Sequence, residues 1–218
     1  MRFFRDNGLT IALVLLFLGT LVGHWLTGVR FENERLLDHG REPISALAYL
    51  GDPEFLSTMF ENWESEFLQM AAYVILTAVL FQRGSAESRD PDEGTTGGLP
   101  ARSSAKSGSP AALRKGRVVR WLYAHSLGLA LLALFVISFA LHGLFSARAA
   151  AQEAALHGGT AVSLLSYFSS AQLWFESFQN WQSEFLAAGV LVVLSIWLRQ
   201  HGSPESKHVE APHSKTGR

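Results

Sequence analysis

The stretch Phe60-Glu61-Asn62-Trp63-Glu64-Ser65-Glu66-Phe67-Leu68 returns 118 residues later as Phe178-Gln179-Asn180-Trp181-Gln182-Ser183-Glu184-Phe185-Leu186. Without a gap, residues 3–88 match residues 121–206 at 28 of 86 positions. Leucines shared between apolar runs carry little weight, so the polar identities decide the matter. These are His24/His142, Arg30/Arg148, His39/His157, Asn62/Asn180, Ser65/Ser183, Glu66/Glu184 and the string Gln-x-Gly-Ser-x-Glu-Ser at 82–88 and 200–206. The sequence reads as an internal duplication. Each copy of the opening motif stands just before a long apolar run, where a helix would pass from water into a membrane.

Composition points the same way. With 48% hydrophobic residues among 218 and long uncharged runs, the chain fits the membrane class better than the soluble one. A net charge of -1 implies no nucleic-acid partner. The absence of cysteine excludes disulfides, thiolate metal sites and cysteine nucleophiles. Residues 9–29 and 127–147 each approach the roughly 20 apolar residues that cross a bilayer core. The first run follows Arg2 and Arg5 as a signal peptide would. Its mid-chain counterpart, and the lack of a small-x-small pattern at its end, argue against that reading. Residues 67–81 and 185–198 are shorter, and Trp63 and Trp181 extend them as interfacial anchors.

The expected fold is therefore all-α: a polytopic membrane protein with four transmembrane helices in two hairpin repeats of the same orientation. Repeat 1 covers 1–88, with spans at about 9–29 and 64–82, and repeat 2 covers 117–206, with spans at about 125–147 and 182–199. Between them 89–116, rich in Gly, Ser, Pro and Ala, reads as a disordered cytoplasmic linker, and 207–218 as a cytoplasmic tail. The hairpin segments hold only Arg30, Arg35, Arg41 and Arg148 of the 18 Lys and Arg, so the positive-inside rule places both termini in the cytoplasm. Arg114, Lys115, Arg117 and Arg120 then lie where anionic lipid headgroups would meet them.

Helical signals continue past the spans on the outer side. A helix over 9–39 would run roughly 46 Å, well beyond a core of about 30 Å. Gly40 and Gly158, each preceded by histidine, are natural stops. Short amphipathic pieces follow at 44–50 and 162–168, with Ser45/Ser163 and Tyr49/Tyr167 in register. Asp52-Pro53 and Ser170 are positioned to start the second long helices, and Gly84 and Gly202 to stop them.

The paired Phe-x-Asn-Trp-x-Ser-Glu-Phe-Leu and Gln-x-Gly-Ser-x-Glu-Ser motifs, with the His-Gly turns, resemble an uncharacterised family of small bacterial integral membrane proteins built from such a duplicated hairpin. The resemblance spans nearly the whole chain except linker and tail. It implies a bacterial inner-membrane location and brings no known activity with it.

Candidate functional residues follow from helical spacing. Asn62, Glu66, Gln69, Tyr73 and Thr77 form one polar stripe, which the second copy keeps only as Asn180, Glu184 and Ser195. His24 and His142 lie at a depth similar to Glu66 and Glu184, so these four form a candidate outer-leaflet cluster. Two imidazoles and two carboxylates would suffice for a divalent metal ion or a proton relay. The plain alternative is that each His and Glu pairs across helices and fixes hairpin register. Asn62 and Asn180 are expected to hold the short amphipathic segment. No cofactor is required. The first functional reading is a non-enzymatic envelope protein acting by interaction or assembly, with the lipid bilayer and a membrane-protein partner or second copy as its contacts. The alternative is a small transporter, channel or pH- or metal-responsive sensor using the His/Glu cluster; a third is a metal-dependent membrane enzyme.

Overall fold

The computed structural model describes residues 2–92, 109–160 and 162–217. Among the described residues the chain is all helical, without a strand. In order come α1 (Arg2–Asp6), α2 (Gly8–Asp38), α3 (Ala46–Tyr49), α4 (Pro53–Val79), a 3-10 turn at Ala111–Arg114, α5 (Arg117–Ala124), α6 (Ser126–Leu156), α7 (Leu164–Phe168) and α8 (Ala171–Trp197). Two helices, α2 and α6, each of 31 residues, are long and apolar enough to cross a membrane. The most apolar stretch of α2 has none of its residues buried by the protein. Although α4 and α8 have 27 residues each, their apolar runs are shortened by Glu54, Glu61, Glu64 and Glu66 in one and Glu176 and Glu184 in the other.

The local signals explain the element ends. Both 31-residue helices stop in a Schellman arrangement. Arg41 N–H donates to Leu36 O at 2.8 Å and Gly40 N–H to Leu37 O at 2.9 Å, and Gly159 N–H and Gly158 N–H repeat the pattern onto Ala154 O and Ala155 O. Gly40 and Gly158 take φ of +67° and +69°, a region that side chains with a Cβ avoid. Ser45 Oγ and Ser163 Oγ cap α3 and α7, each accepting from the N–H three residues on at 3.2 Å. Asp52 Oδ1 accepts from Glu54 N–H at 2.9 Å to open α4, and Ser170 Oγ accepts from Leu173 N–H at 3.3 Å to open α8.

Other expectations are corrected. Gly84 and Gly202 do not stop the helices, which end earlier at Val79 and Trp197. Each glycine sits instead in a turn closed by Ser85 N–H to Gln82 O and by Ser203 N–H to Gln200 O, both 3.2 Å. Their φ of +85° and +78° fits the third residue of a type II turn. Within these turns Gln82 N–H donates to Ser88 Oγ and Glu87 N–H to Ser85 Oγ, and the same pair of bonds recurs at Gln200/Ser206 and Glu205/Ser203. The tail is folded back onto the turn that follows α4. Lys207, 1% exposed, donates to the carbonyls of Gly84, Ile196, His213 and Lys215. Of the linker expected to be disordered over 89–116, residues 93–108 lie outside the described residues, whereas 109–116 holds the 3-10 turn at Ala111–Arg114 and Asp92 pairs with Arg83 at 2.7 Å.

The contacts divide the chain into two compact units, Met1–Phe60 with Leu141–Leu173, and Glu61–Ala140 with Trp174–Arg218. Neither unit corresponds to one half of the sequence, since each draws segments from both.

In the first unit, Val29, Tyr49 and Phe55 form a buried cluster against which Leu21, Trp25, Ile44 and Met59 pack. The α3 segment is tied to α2 by Trp25 Nε1–H donating to Ala46 O at 2.7 Å. Asn33 adds a two-way amide bond, donating to Ile44 O at 3.0 Å and accepting from Ile44 N–H at 2.7 Å. Asn33→Ala removes both bonds and leaves the Ile44 amide without this partner. Expected is a loss of about 1–3 kcal/mol, read as faster hydrogen exchange at Ile44. Gly28 leaves room for the Tyr49 ring, whose hydroxyl would stand 2.7 Å from a Cβ there. At the matching place Ser146 hydrogen-bonds the Tyr167 hydroxyl at 2.6 Å. Burial first, then the carboxylates of Asp52, Glu54 and Glu32, push the Tyr49 hydroxyl up from 10.0 to about 12. The unfolded chain therefore ionises before the folded one. That stability is present below pH 10 and is lost as pH rises from 10 to about 12, on the order of 2–3 kcal/mol in all. Denaturation followed against pH in this range should show the loss, and Tyr49→Phe should remove it.

Candidate functional site

The second unit is built on α4 and α8, which run side by side in the same direction. Near their starts, Asn180 donates its amide to Glu61, and Trp181 Nε1–H donates to Glu64 Oε1 at 2.9 Å. Toward their other ends, Ser85 Oγ meets Ser195 Oγ at 2.8 Å, and Lys207 ties the Gly84 carbonyl to that of Ile196. Trp181 also joins an aromatic cluster with Phe135, Phe139, Trp174 and Phe178, at centroid distances of 5.4–6.4 Å. The indole is therefore packed on one face and hydrogen-bonded at its nitrogen, a richer setting than a bare interfacial anchor. Trp63 is half-buried.

A pocket of about 420 Å³ opens between the two helices. Its walls are apolar, from Leu76, Phe185 and Val192 among others, and one end is closed by the turn bearing Gln82, Glu87 and Ser88. The deeper members of the polar stripe, Gln69, Tyr73 and Thr77, line it. Tyr73 donates its hydroxyl to Glu87 Oε2 at 2.9 Å, which accounts for a motif glutamate that sequence reasoning left without a role. The matching positions in α8 are Ala187 and Leu191, so this hydroxyl–carboxylate pair is made once.

The predicted cluster is distributed differently. His24 and His142 belong to the first unit, Glu66 and Glu184 to the second. His24 Nε2 lies 3.2 Å from Thr58 Oγ1, with its ring 5.0 Å from that of Phe55. His142 is completely buried. Glu66 is exposed and Glu184 half-buried, near enough for their charges to repel. Among the described residues, no group of three or more His, Asp or Glu stands at metal-ligating spacing. Asn62 is exposed. Asn180 turns to Glu61 rather than to the short segment, which is held by Asn33 instead.

Sequence reasoning also missed Glu61 and Glu64, the latter 0% exposed. The signal was present in the mismatches. Glu61 and Glu64 stand where the second copy has Gln179 and Gln182, and the two carboxylates accept from the Asn180 amide and the Trp181 indole. The acceptors of this pairing lie at unmatched positions and its donors, Asn180 and Trp181, at matched ones.

These features define an all-α protein in which two helices are apolar enough to cross a membrane and a second pair encloses a mostly apolar pocket. Over residues 1–218 the chain belongs to the family described as a domain of unknown function, DUF6766. No curated protein and no solved structure matches it.

Proposed function

We propose that the chain is a non-enzymatic integral membrane protein of four spans, α2, α4, α6 and α8, that acts in the bacterial inner membrane by interaction and assembly. The observation that carries this reading is the same-direction pairing of α4 and α8, fastened near both ends by polar contacts. Two same-direction spans need a return helix between them, and α6 is long and apolar enough to serve. The N-terminal side of α2, the linker, and the residues after α8 then share the cytoplasmic side, in accord with their basic residues. The exposed apolar length of α2 is the surface offered to lipid or to a partner helix, including one from a second copy.

On the cytoplasmic side α5 carries Arg117 and Arg120 beside the exposed Val118, Trp121 and Leu122, a composition suited to an anionic membrane surface. The test is a set of topology reporters placed after Gly40, within the linker, after Gly158 and after Arg218. Reporters in the linker and after Arg218 should read cytoplasmic and the other two external. A linker that reads external would overturn the four-span arrangement. The pocket favours a second reading, that the protein binds a small molecule within the membrane.

A further inference from the structure

We propose that the α4–α8 pocket is a binding site for a lipophilic cation: a compact apolar body carrying one positive charge. The inference rests on the membrane reading above and adds the chemistry of the ligand. At about 420 Å³ the pocket has the volume of a small-molecule site. Among its lining residues Glu87 is the one with formal charge at neutral pH, and the rest of the wall is apolar or uncharged. A carboxylate at the end of an apolar chamber attracts a cation and repels an anion, and the low-dielectric surroundings strengthen both effects.

Two rings, Tyr73 and Phe185, add faces that favour a cation over a neutral body of equal size, whereas the Phe81 ring already carries the Arg89 guanidinium, 5.4 Å from its centroid. Tyr73 fixes the carboxylate through its hydroxyl at 2.9 Å. The turn that carries Glu87 is itself pinned from behind, since Gly84 N–H donates to Thr216 Oγ1 at 2.8 Å and Gly217 N–H to Ser85 O at 2.9 Å. The charged end of the pocket is thus held in place by the tail. In the second copy of the motif, Glu205 is exposed, and its matching wall positions, Ala187 and Leu191, are aliphatic. This contrast makes Glu205 the internal control.

The test uses the full chain in lipid nanodiscs and three probes of similar size: tetraphenylphosphonium, the anion tetraphenylborate and neutral triphenylphosphine oxide. Equilibrium dialysis should show saturable binding of tetraphenylphosphonium at one per chain, with the anion and the neutral probe showing only the partition of empty nanodiscs. Glu87→Gln should weaken the cation at least about tenfold. Glu87→Asp should keep most of the affinity, and Glu205→Gln all of it. Gly189→Leu should abolish binding, because a Cβ at Gly189, a lining residue, meets no atom within 4 Å and a larger side chain would fill the chamber.

Equal binding of all three probes by the unaltered chain would overturn the proposal without recourse to any variant. So would tetraphenylphosphonium binding undiminished in both Glu87→Gln and Gly189→Leu. Topology reporters report on the four-span reading independently, so failure of one is distinguishable from failure of the other.

Discussion

Gly143→Val is expected to destabilise the first unit by about 2 kcal/mol, lowering the apparent Tm in detergent by roughly 4–8 °C. A Cβ on Gly143 would fall 2.6 Å from Phe168 Cε1, so the ring of the short helix α7 would have to leave its place against α6. Two effects oppose each other here. Replacing a mid-helix glycine gains less than about 1 kcal/mol of helix propensity, and overpacking a filled site costs about 1–3 kcal/mol. The clash wins. The first half of the chain shows the inverse fit, with Trp25 where Gly143 stands and Leu50 where Phe168 stands. Adding Phe168→Leu to Gly143→Val should therefore recover most of the loss, and the double-mutant cycle should give a coupling of about 1 kcal/mol or more. A single variant as stable as the parent would show that Phe168 does not pack on Gly143.

Lys207→Met should release the tail. The Lys207 ammonium is buried against four carbonyls, three of them at 3.0–3.1 Å, and hydrogen bonds made by a charged donor contribute more than neutral ones. Methionine keeps the apolar stem and removes all four bonds, leaving carbonyl oxygens buried beside a thioether. A local loss on the order of 3 kcal/mol follows, and exchange at the Gly84 and Gly217 amides should accelerate on the order of 100-fold. Those amides report on the docked state because one donates to Thr216 and the other to Ser85. Thr216→Val, which deletes a single neutral acceptor, should have a smaller effect of about 1 kcal/mol, confined to Gly84. Unchanged exchange in Lys207→Met would mean that the tail is held by something else.

Much of the local structure was legible before any coordinates. The His-Gly stops and the Asp52 and Ser170 openings depend on backbone groups within a few residues of the signal, and they appear as expected. The site was legible only in part. Gln69, Tyr73 and Thr77 were correctly grouped by helical spacing, because period alone decides which residues share a face. Which neighbour that face meets depends on how another helix is placed, and there the reading departed from the structure. Asn62 and Glu66, on the same stripe as the pocket residues, are exposed, and Glu64 and Ser65 are buried instead.

The sequence by itself determined that the chain is helical, where its two 31-residue helices stop, and that Phe-x-Asn-Trp-x-Ser-Glu-Phe-Leu and Gln-x-Gly-Ser-x-Glu-Ser occur twice. Each of these follows from composition, period or contacts a few residues apart. Only the tertiary structure decided that Glu61 and Glu64 answer Asn180 and Trp181, that Glu87 turns back to Tyr73, and that Lys207 closes on Gly84. The physical reason is range. Two of these contacts join residues 117 or more positions apart and a third joins residues 123 apart, and the Glu87 bond needs the chain to reverse after α4. Such pairings are set by the packing of whole helices, which no local pattern encodes.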